Sequence, residues 1–439
     1  MILKVFSSAH ETRIQYALKS ANSPLLRLAL QLVTTARHAN WHLARFMCGI
    51  FCSVLSHSST MTKNTKSCYT VETVLDDVPY WLAKMKLAVL SSQAVADIPL
   101  LGTSTADDAP SRAPKVAILF SGGLDCTILA RLAHEILDPK ESIDLLNVAF
   151  ENPRSVAAAR LRPNFDPYEA CPDRITGRRS FVELFKACPG REFRFVAIDI
   201  PFSETQAHRS TVISLMYPQN TEMDLSISMA LYFAARGKGT ATISPNVSLQ
   251  ENSATAAIPP YTTSARVLLS GLGADELFAG YTRHATAFSR QGYPGLIAEL
   301  ALDITRLGTR NLGRDDRIIS HCSKEVRYPY LDEDFVKWAL QAPVWEKCGF
   351  GEHRPQPSDS TSIVSESNVT LHQHRRNVTG EDKDINGIEP AKKVLRLLAQ
   401  TLDLPGVARE KKRAIQFGAK TAKMETGGGK TKGTDVLLS

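Results

Sequence analysis

Val116-Ala117-Ile118-Leu119-Phe120-Ser121-Gly122-Gly123-Leu124-Asp125-Cys126 is the stretch whose reading decides the fold. Five apolar residues run straight into Ser-Gly-Gly, and a helical pattern follows from Thr127 to Leu137. That order describes a buried parallel strand turning tightly into a helix. Such a turn suits a phosphate. Gly122 and Gly123 let the backbone approach a polyphosphate, and amide hydrogens at the helix start point at its oxygens. Ser121 adds a hydroxyl donor, and Asp125 is placed to hold Mg²⁺ on that phosphate. No Gly-Lys-Ser/Thr follows, so this is not a Walker A loop, and the alternative reading is an ordinary strand-to-helix turn.

Working outward, the strands Val116–Phe120, Leu145–Phe150, Phe193–Ile198 and Val267–Leu269 alternate with helical segments. Alternation of this kind predicts an α/β fold with a doubly wound, mostly parallel sheet, covered on both faces and with its ligands at the carboxyl ends of the strands. One of these strands repeats the logic of the first. Leu268-Leu269-Ser270-Gly271-Leu272-Gly273-Ala274-Asp275-Glu276 delivers a small-residue turn and then carboxylates. It does not fit a dinucleotide fingerprint, because Asp275 falls where that pattern has nothing acidic. With the two corners side by side, Ser270 and Gly271 border a nucleotide while Asp275 supplies a second Mg²⁺ ligand opposite Asp125. Paired carboxylates near a triphosphate need a cation between them, since like charges repel the ligand. Glu276 reads as a helix N-terminal acid. The charged runs 310–317 and 323–332 are interleaved with apolar residues and read as ion pairs lining a cleft or, alternatively, as surface pairs.

With 439 residues, 43% of them hydrophobic, the chain can build sizeable cores, and no apolar run is long enough to cross a bilayer. A net charge of +7 is mild for this length and requires neither a nucleic acid nor a membrane partner. The eight cysteines form no C-x-x-C pair or zinc-spaced cluster, so reduced thiols and a cytoplasmic location are expected. The sequons at Asn246, Asn368 and Asn377 read as chance.

Residues 1–46 are basic and acid-poor, which fits a mitochondrial presequence, a frayed helix, or sequence upstream of a true start at Met47. Met47-Cys48-Gly49-Ile50-Phe51 resembles the amino terminus of a class II glutamine amidotransferase. In such enzymes the free α-amine of an N-terminal cysteine serves as base for its own thiol. The resemblance makes Cys48 a nucleophile only if it is the mature N-terminus. The downstream segments that a glutaminase needs are missing from 47–69, which therefore reads as a remnant. Residues 70–113 hold a helix, Thr70 to Gln93, and a linker. Beyond the nucleotide domain at 114–350, the polar tract 351–389 reads as a disordered insertion, 390–425 as a helical C-terminal part, and 426–439 as a flexible tail.

SGGLDC at 121–126 is similar to the SGGxDS signature of ATP pyrophosphatases, with Cys126 for the last serine. Together with SGLGADELFAGY at 270–281, RNLGRDDR at 310–317 and KEVRYPYLDEDFV at 324–336, it resembles the asparagine synthetase family. PDRITGR at 172–178, PQNTEMDLSISMALYFAARG at 218–237 and KRAIQFGAKTAKME at 412–425 are similar to the family's asparagine synthetase domain-containing branch. The resemblance implies an ATP pyrophosphatase (adenine nucleotide α-hydrolase-like) domain. It implies an AMP-forming amide ligase that uses ATP and Mg²⁺ to convert aspartate to asparagine with ammonia or glutamine. By the same resemblance Ser121, Gly122, Gly123 and Asp125 hold pyrophosphate and Mg²⁺, and Leu119, Val148, Ser270 and Gly271 line the ATP pocket. Asp275 holds the second metal, and Glu325 is the candidate acid/base.

Two positions depart from the pattern. Leu272 stands where the synthetases have a glutamate near the attacking ammonia, and Ala414 stands where they have a lysine, although Lys411, Lys412 or Arg413 lies close by. The alternative to a ligase is an ATP-binding pseudoenzyme or interaction module of the same fold. A nucleic-acid-modifying ATP pyrophosphatase is a third reading, for which paired cysteines and a basic surface are lacking.

Overall fold

A computed structural model describes residues 113–159, 165–243, 260–351, 388–424 and 432–437. The N-terminal extension, the glutaminase remnant with Cys48, the helix read at Thr70 to Gln93, the three sequons and most of the polar insertion lie outside the described residues. The chain divides into two units, and Val71–Asp332 with Val344–Ser439 forms the larger. Of the other unit the described part is one amphipathic helix, Glu333–Gln341, considered by itself.

In the larger unit the elements begin with β1 (Val116–Leu119), α1 (Leu124–Ile136), β2 (Ile143–Phe150), α2 (Pro153–Ala158), α3 (Pro172–Ala187) and β3 (Phe193–Ile200). They continue with α4 (Phe202–Met216), α5 (Glu222–Arg236), β4 (Lys238–Thr242), β5 (Tyr261–Thr262), β6 (Val267–Leu269) and the four-residue α6 (Ala274–Leu277). Next come α7 (Thr282–Leu307), broken at Gly292, a π-helical turn (Gly308–Leu312), α8 (Gly313–Ser320) and β7 (Glu325–Arg327). The chain closes with α9 (Val344–Lys347), α10 (Lys393–Thr401), α11 (Pro405–Ala408) and α12 (Ile415–Gly418).

The seven strands form one mixed sheet in the order β5-β4-β3-β2-β1-β6-β7. Strands β3, β2, β1, β6 and β7 are parallel, while at one side β4 pairs antiparallel with β3 and β5 pairs antiparallel with β4. Both faces are covered, and the side-chain alternation of β2 and β3 shows how. Leu146, Val148 and Phe150 of β2, with Val196, Ile198 and Ile200 of β3, join the core made with Val212 and Met216 of α4 and Met229 to Ala235 of α5. The alternate residues Asn147 and Phe195 point the other way, to Arg174 and Phe181 of α3. β4, missed by sequence reading, has a polar Lys-Gly-Thr-Ala-Thr composition that carries no strand signal, and its pairing with β3 rather than its propensity places it.

The strand order reverses at β1. From β1 the chain moves to β2 and β3 on one side and later returns to place β6 on the other. A crevice at the carboxyl ends of two such strands is where ligands bind in open α/β sheets. β1 and β6 are neighbours in register, with Ile118 opposite Leu269, so the Ser121 and Ser270 corners emerge side by side. The tail expected to be mobile is partly tied down. Glu222 N donates to Asp435 O at 3.0 Å, and Thr221 bridges Val436 at the start of α5. Among the described residues no helix is long and apolar enough to cross a membrane, and Cys126, Cys171, Cys188, Cys322 and Cys348 are free thiols.

Candidate functional site

A cleft of about 480 Å³ opens at the carboxyl ends of β1, β2 and β6. Its floor is the first corner. Gly123 caps α1 in extended backbone, Thr127 Oγ1 donates to Gly123 O at 2.8 Å, and the Cys126 thiol donates to the same carbonyl at 3.3 Å. Burial pushes the Cys126 thiol up, and the buried thiol braces the turn as a small hydrophobe. Ser121, Gly123 and Asp125 line the cleft, flanked by Leu119 and Val148.

Gly122 does something else. Its φ is +78°, and a Cβ there would lie 2.4 Å from the Cα of Gly177 on α3. The glycine expected to meet a polyphosphate is also needed for a backbone-to-backbone approach within the fold. What draws α3 so close is Asn147, buried on β2. Its Nδ2 donates to Phe120 O at 2.9 Å and Asp173 O at 3.0 Å, and its Oδ1 accepts from Arg174 Nε at 2.7 Å. Arg174, fully buried, goes on to Asp199 at 2.6 Å and Glu169 at 2.8 Å. Arg174 and Gly177, one helical turn apart, share the face that meets the sheet, so PDRITGR is a packing motif that sets the first corner. Ser180 Oγ, a further turn on, donates to Gly122 O at 2.6 Å.

The second corner turns through Gly273, φ +102°, whose missing Cβ leaves room for Leu331 and Tyr330. Tyr330 OH in turn donates to Asp125 O at 3.1 Å, which ties the Tyr-Pro-Tyr-Leu run to the first corner. Ser270, Gly271, Leu272 and Asp275 line the cleft. Gly271 brings the corners together, since a Cβ on it would stand 3.0 Å from that of Asp125.

Between the two carboxylates lies a residue that sequence reading missed. The Lys392 ammonium, on a side chain only 4% exposed, is 2.6 Å from Asp125 Oδ2 and 2.6 Å from Asp275 Oδ1. Lys412 pairs with the other oxygen of Asp275. Burial opposes charge on Asp275, but the two ammoniums outweigh it and hold its carboxyl far below the usual range. Burial likewise opposes charge on Lys392, and the two aspartates raise its pKa in spite of it. Lys392 and Lys412 are positioned by Arg396 of α10, whose buried guanidinium donates to Ala391 O, Ala408 O and Glu410 O at 2.8 to 2.9 Å. Lys392 lies directly after the polar insertion, far from either glycine motif, and no spacing rule singles it out. Of the cations just before Ala414, Lys412 reaches Asp275, Arg413 approaches Asp173 at 3.6 Å, and Lys411 lines the cleft.

The donor set fits a metal held jointly with phosphate. Mg²⁺ binds through one or two carboxylates plus substrate oxygens. Asp125 Oδ1 is buried without a hydrogen-bond partner, and no group of three or more His, Cys, Asp or Glu gathers among the described residues to hold a metal unaided.

The far wall comes from α5, α7, the π-helical turn and α8. Arg314, buried, pairs with Asp224 at 2.7 Å and Asp315 at 2.8 Å, which makes the 310–317 run the cleft-lining ion pairs anticipated. Burial, outweighing Arg314, lifts Asp315 to about 6. Glu276 is more than a helix-end acid. Tyr281 OH donates to it at 2.6 Å, and burial together with Asp275 raises its carboxyl. Arg283 stacks over the Tyr281 ring at 4.0 Å and pairs with Asp303 at 2.6 Å. Arg306 and Arg310, both exposed, complete a basic rim.

Glu325 is not brought to the cleft. It stands at the amino end of β7, opposite Val267 at the start of β6, with its side chain half exposed and paired to Arg327 at 2.7 Å. Sequence reading takes the run around it as charged pairs and does not foresee the strand β7, and in a parallel strand the first residue lies at the end away from the ligand crevice. The acid/base role expected for Glu325 finds no support in this position.

Comparison with known proteins follows the same lines. The asparagine synthase family model matches residues 261–298 and 289–355. Asparagine synthetase domain-containing protein 1 of Bos taurus is 36% identical over 342 residues, 72% of this chain and 47% of the relative. An asparagine synthetase domain-containing protein of Saccharomyces cerevisiae is 36% identical over 329 residues, 73% of this chain and 50% of its own length. A putative glutamine-hydrolysing asparagine synthetase of Methanocaldococcus jannaschii is 35% identical over 159 residues, 36% of this chain and 28% of its own. The chain thus spans about half the length of the domain-containing relatives it matches. On these matches, the chain carries a region matched by the asparagine synthase family model and is similar along most of its length to the asparagine synthetase domain-containing proteins.

Proposed function

We propose that this cleft binds Mg-ATP and that the chain is an AMP-forming amide ligase of asparagine synthetase type, with an ATP pyrophosphatase-like nucleotide domain. The observation that carries the reading is the side-by-side emergence of Ser121–Asp125 and Ser270–Asp275 from adjacent strands at the point where the strand order reverses. Ser121, Gly123, Ser270 and Gly271 would border the polyphosphate, Leu119 and Val148 would flank the nucleoside, and Asp125 and Asp275 would hold Mg²⁺ on the phosphates. The ion would supply charge neutralisation of the leaving pyrophosphate.

In the proposed reaction an oxygen of the aspartate side-chain carboxylate forms a bond to the α-phosphorus of ATP, and the bond from that phosphorus to the pyrophosphate breaks. Ammonia then forms the carbon-nitrogen bond, AMP leaves, and the nitrogen gives up a proton. Lys412, Arg413 and the basic rim at Arg306 and Arg310 are fixed positive charges suited to the transferring phosphate and to an anionic acceptor.

One observation favours a second reading, a nucleotide-binding module without amide synthesis. Leu272 lines the cleft and has no group to accept a proton from ammonia. Pyrophosphate release with Mg-ATP, aspartate and ammonia, compared with Asp125→Ala, separates the two. Release accompanied by asparagine supports the ligase. Pyrophosphate without asparagine removes amide synthesis from it, and intact ATP binding with no release selects the module.

A further inference from the structure

The position between Asp125 and Asp275, where a cation is called for, is filled by the chain itself. We propose that Lys392 is a built-in counter-ion that closes the Asp125/Asp275 pair to divalent metal until nucleotide phosphates draw its ammonium away. The proposal rests on the phosphate-binding reading of the cleft for its second half only; the closure is a property of the nucleotide-free protein.

Three observations support it. The ammonium lies 2.6 Å from an oxygen of each aspartate, and Mg²⁺, which needs oxygen ligands at about 2.0–2.1 Å, cannot share that space. Charge is also already balanced: Lys392 and Lys412 offset Asp125 and Asp275. A divalent ion entering alone would add uncompensated positive charge to a buried place, whereas one arriving on a polyphosphate brings its own compensation. Finally, the backbone is shaped for the lysine. Lys392 takes a left-handed φ of 56°, with its amide donating to Phe278 O at 3.0 Å, and a Cβ on Gly280 would fall 2.2 Å from Lys392 Cε and 2.0 Å from Asp275 Oδ1. The main chain is anchored while the flexible four-carbon stem is left as the moving part. The unpartnered Asp125 Oδ1 is the oxygen ready for a metal once the ammonium moves.

The test is titration of the nucleotide-free protein with Mn²⁺ alone, followed by the electron paramagnetic resonance signal of the free ion. Wild type is expected to show only weak, millimolar-range binding. Lys392→Met should bind Mn²⁺ tighter by on the order of tenfold or more, and Asp275→Asn in that background should abolish the gain. Lys392→Arg keeps the charge and should stay closed. An unchanged affinity in Lys392→Met, or a micromolar site in wild type that Asp275→Asn removes, overturns the proposal. If Lys392→Met does not fold, Lys392→Ala serves as the opened variant, with the same gain expected and an unchanged affinity again overturning the proposal. Because neither ATP, aspartate nor ammonia is present, failure of the ligase reading and failure of this proposal give different results.

Discussion

The corner at Ser121–Asp125 and the corner at Ser270–Asp275 share a buried strand, a hydroxyl, a glycine and a carboxylate, yet they are held in different ways. The first opens a 13-residue helix, and its shape comes from apposition to α3: Gly122 against Gly177, and Asn147 and Arg174 locking the helix in place. The second opens a helix of only four residues, and its shape comes from charge: Asp275 held by Lys392 and Lys412 from a segment more than a hundred residues away. Steric fit makes the first corner a rigid cradle of amides. Charge balance makes the second a site that answers to whatever cations and anions arrive.

If the first corner is steric, Gly122→Ala should be the most damaging single change, at about 3 kcal/mol or more of unfolding free energy, because strain at positive φ adds to backbone overlap with α3. Gly123→Ala next to it, whose Cβ would meet only Ser121 Oγ at 3.3 Å, should cost well under half as much in urea titrations. Equal losses would erase the distinction.

The charged corner is tested by unequal losses at its two carboxylates. Asp275→Asn leaves Lys392 with one partner and Lys412 with none among the described carboxylates, and should cost about 3 kcal/mol. Asp125→Asn leaves Lys392 still paired to Asp275 and should cost about 1 kcal/mol. A reversed order would place the anchor of the cluster at the first corner.

The smallest expected effect concerns pH. Asp173, at the start of α3 beneath the first corner, is lifted to about 7 by burial, which outweighs Arg413 and Lys412. A carboxyl raised on folding binds more protons in the folded state, so it lowers stability progressively as pH rises from about 4 to about 7. Asp173→Asn should flatten that part of the stability curve, whereas Asp275, held down by lysines, contributes stability that fades only as pH falls below about 4. Parallel curves for wild type and Asp173→Asn between pH 4 and 7 would remove this difference between the corners.

Both corners were legible as motifs, because a continuous apolar run followed by Ser-Gly marks a strand-to-turn junction wherever it occurs. The parallel strands β1, β2, β3 and β6 were found from their apolar runs, to within a few residues at their ends, whereas the short, charged β7 was not. Glu325 shows where that kind of reading stops. Its motif was recognised, but which end of a strand faces the ligand depends on the strand's direction in the sheet.

By itself, then, the amino-acid order determined the alternating α/β pattern and the two glycine corners with their carboxylates, since these follow from local periodicity and from residues that must be small or acidic where they stand. Tertiary structure alone decided that Gly122 serves packing, that Asn147 and Arg174 set the cradle, and that Lys392 fills the space between Asp125 and Asp275. These are contacts between residues from 26 to more than 260 positions apart. A lysine at the edge of a polar stretch looks like any solvated charge until the fold buries it between two carboxylates.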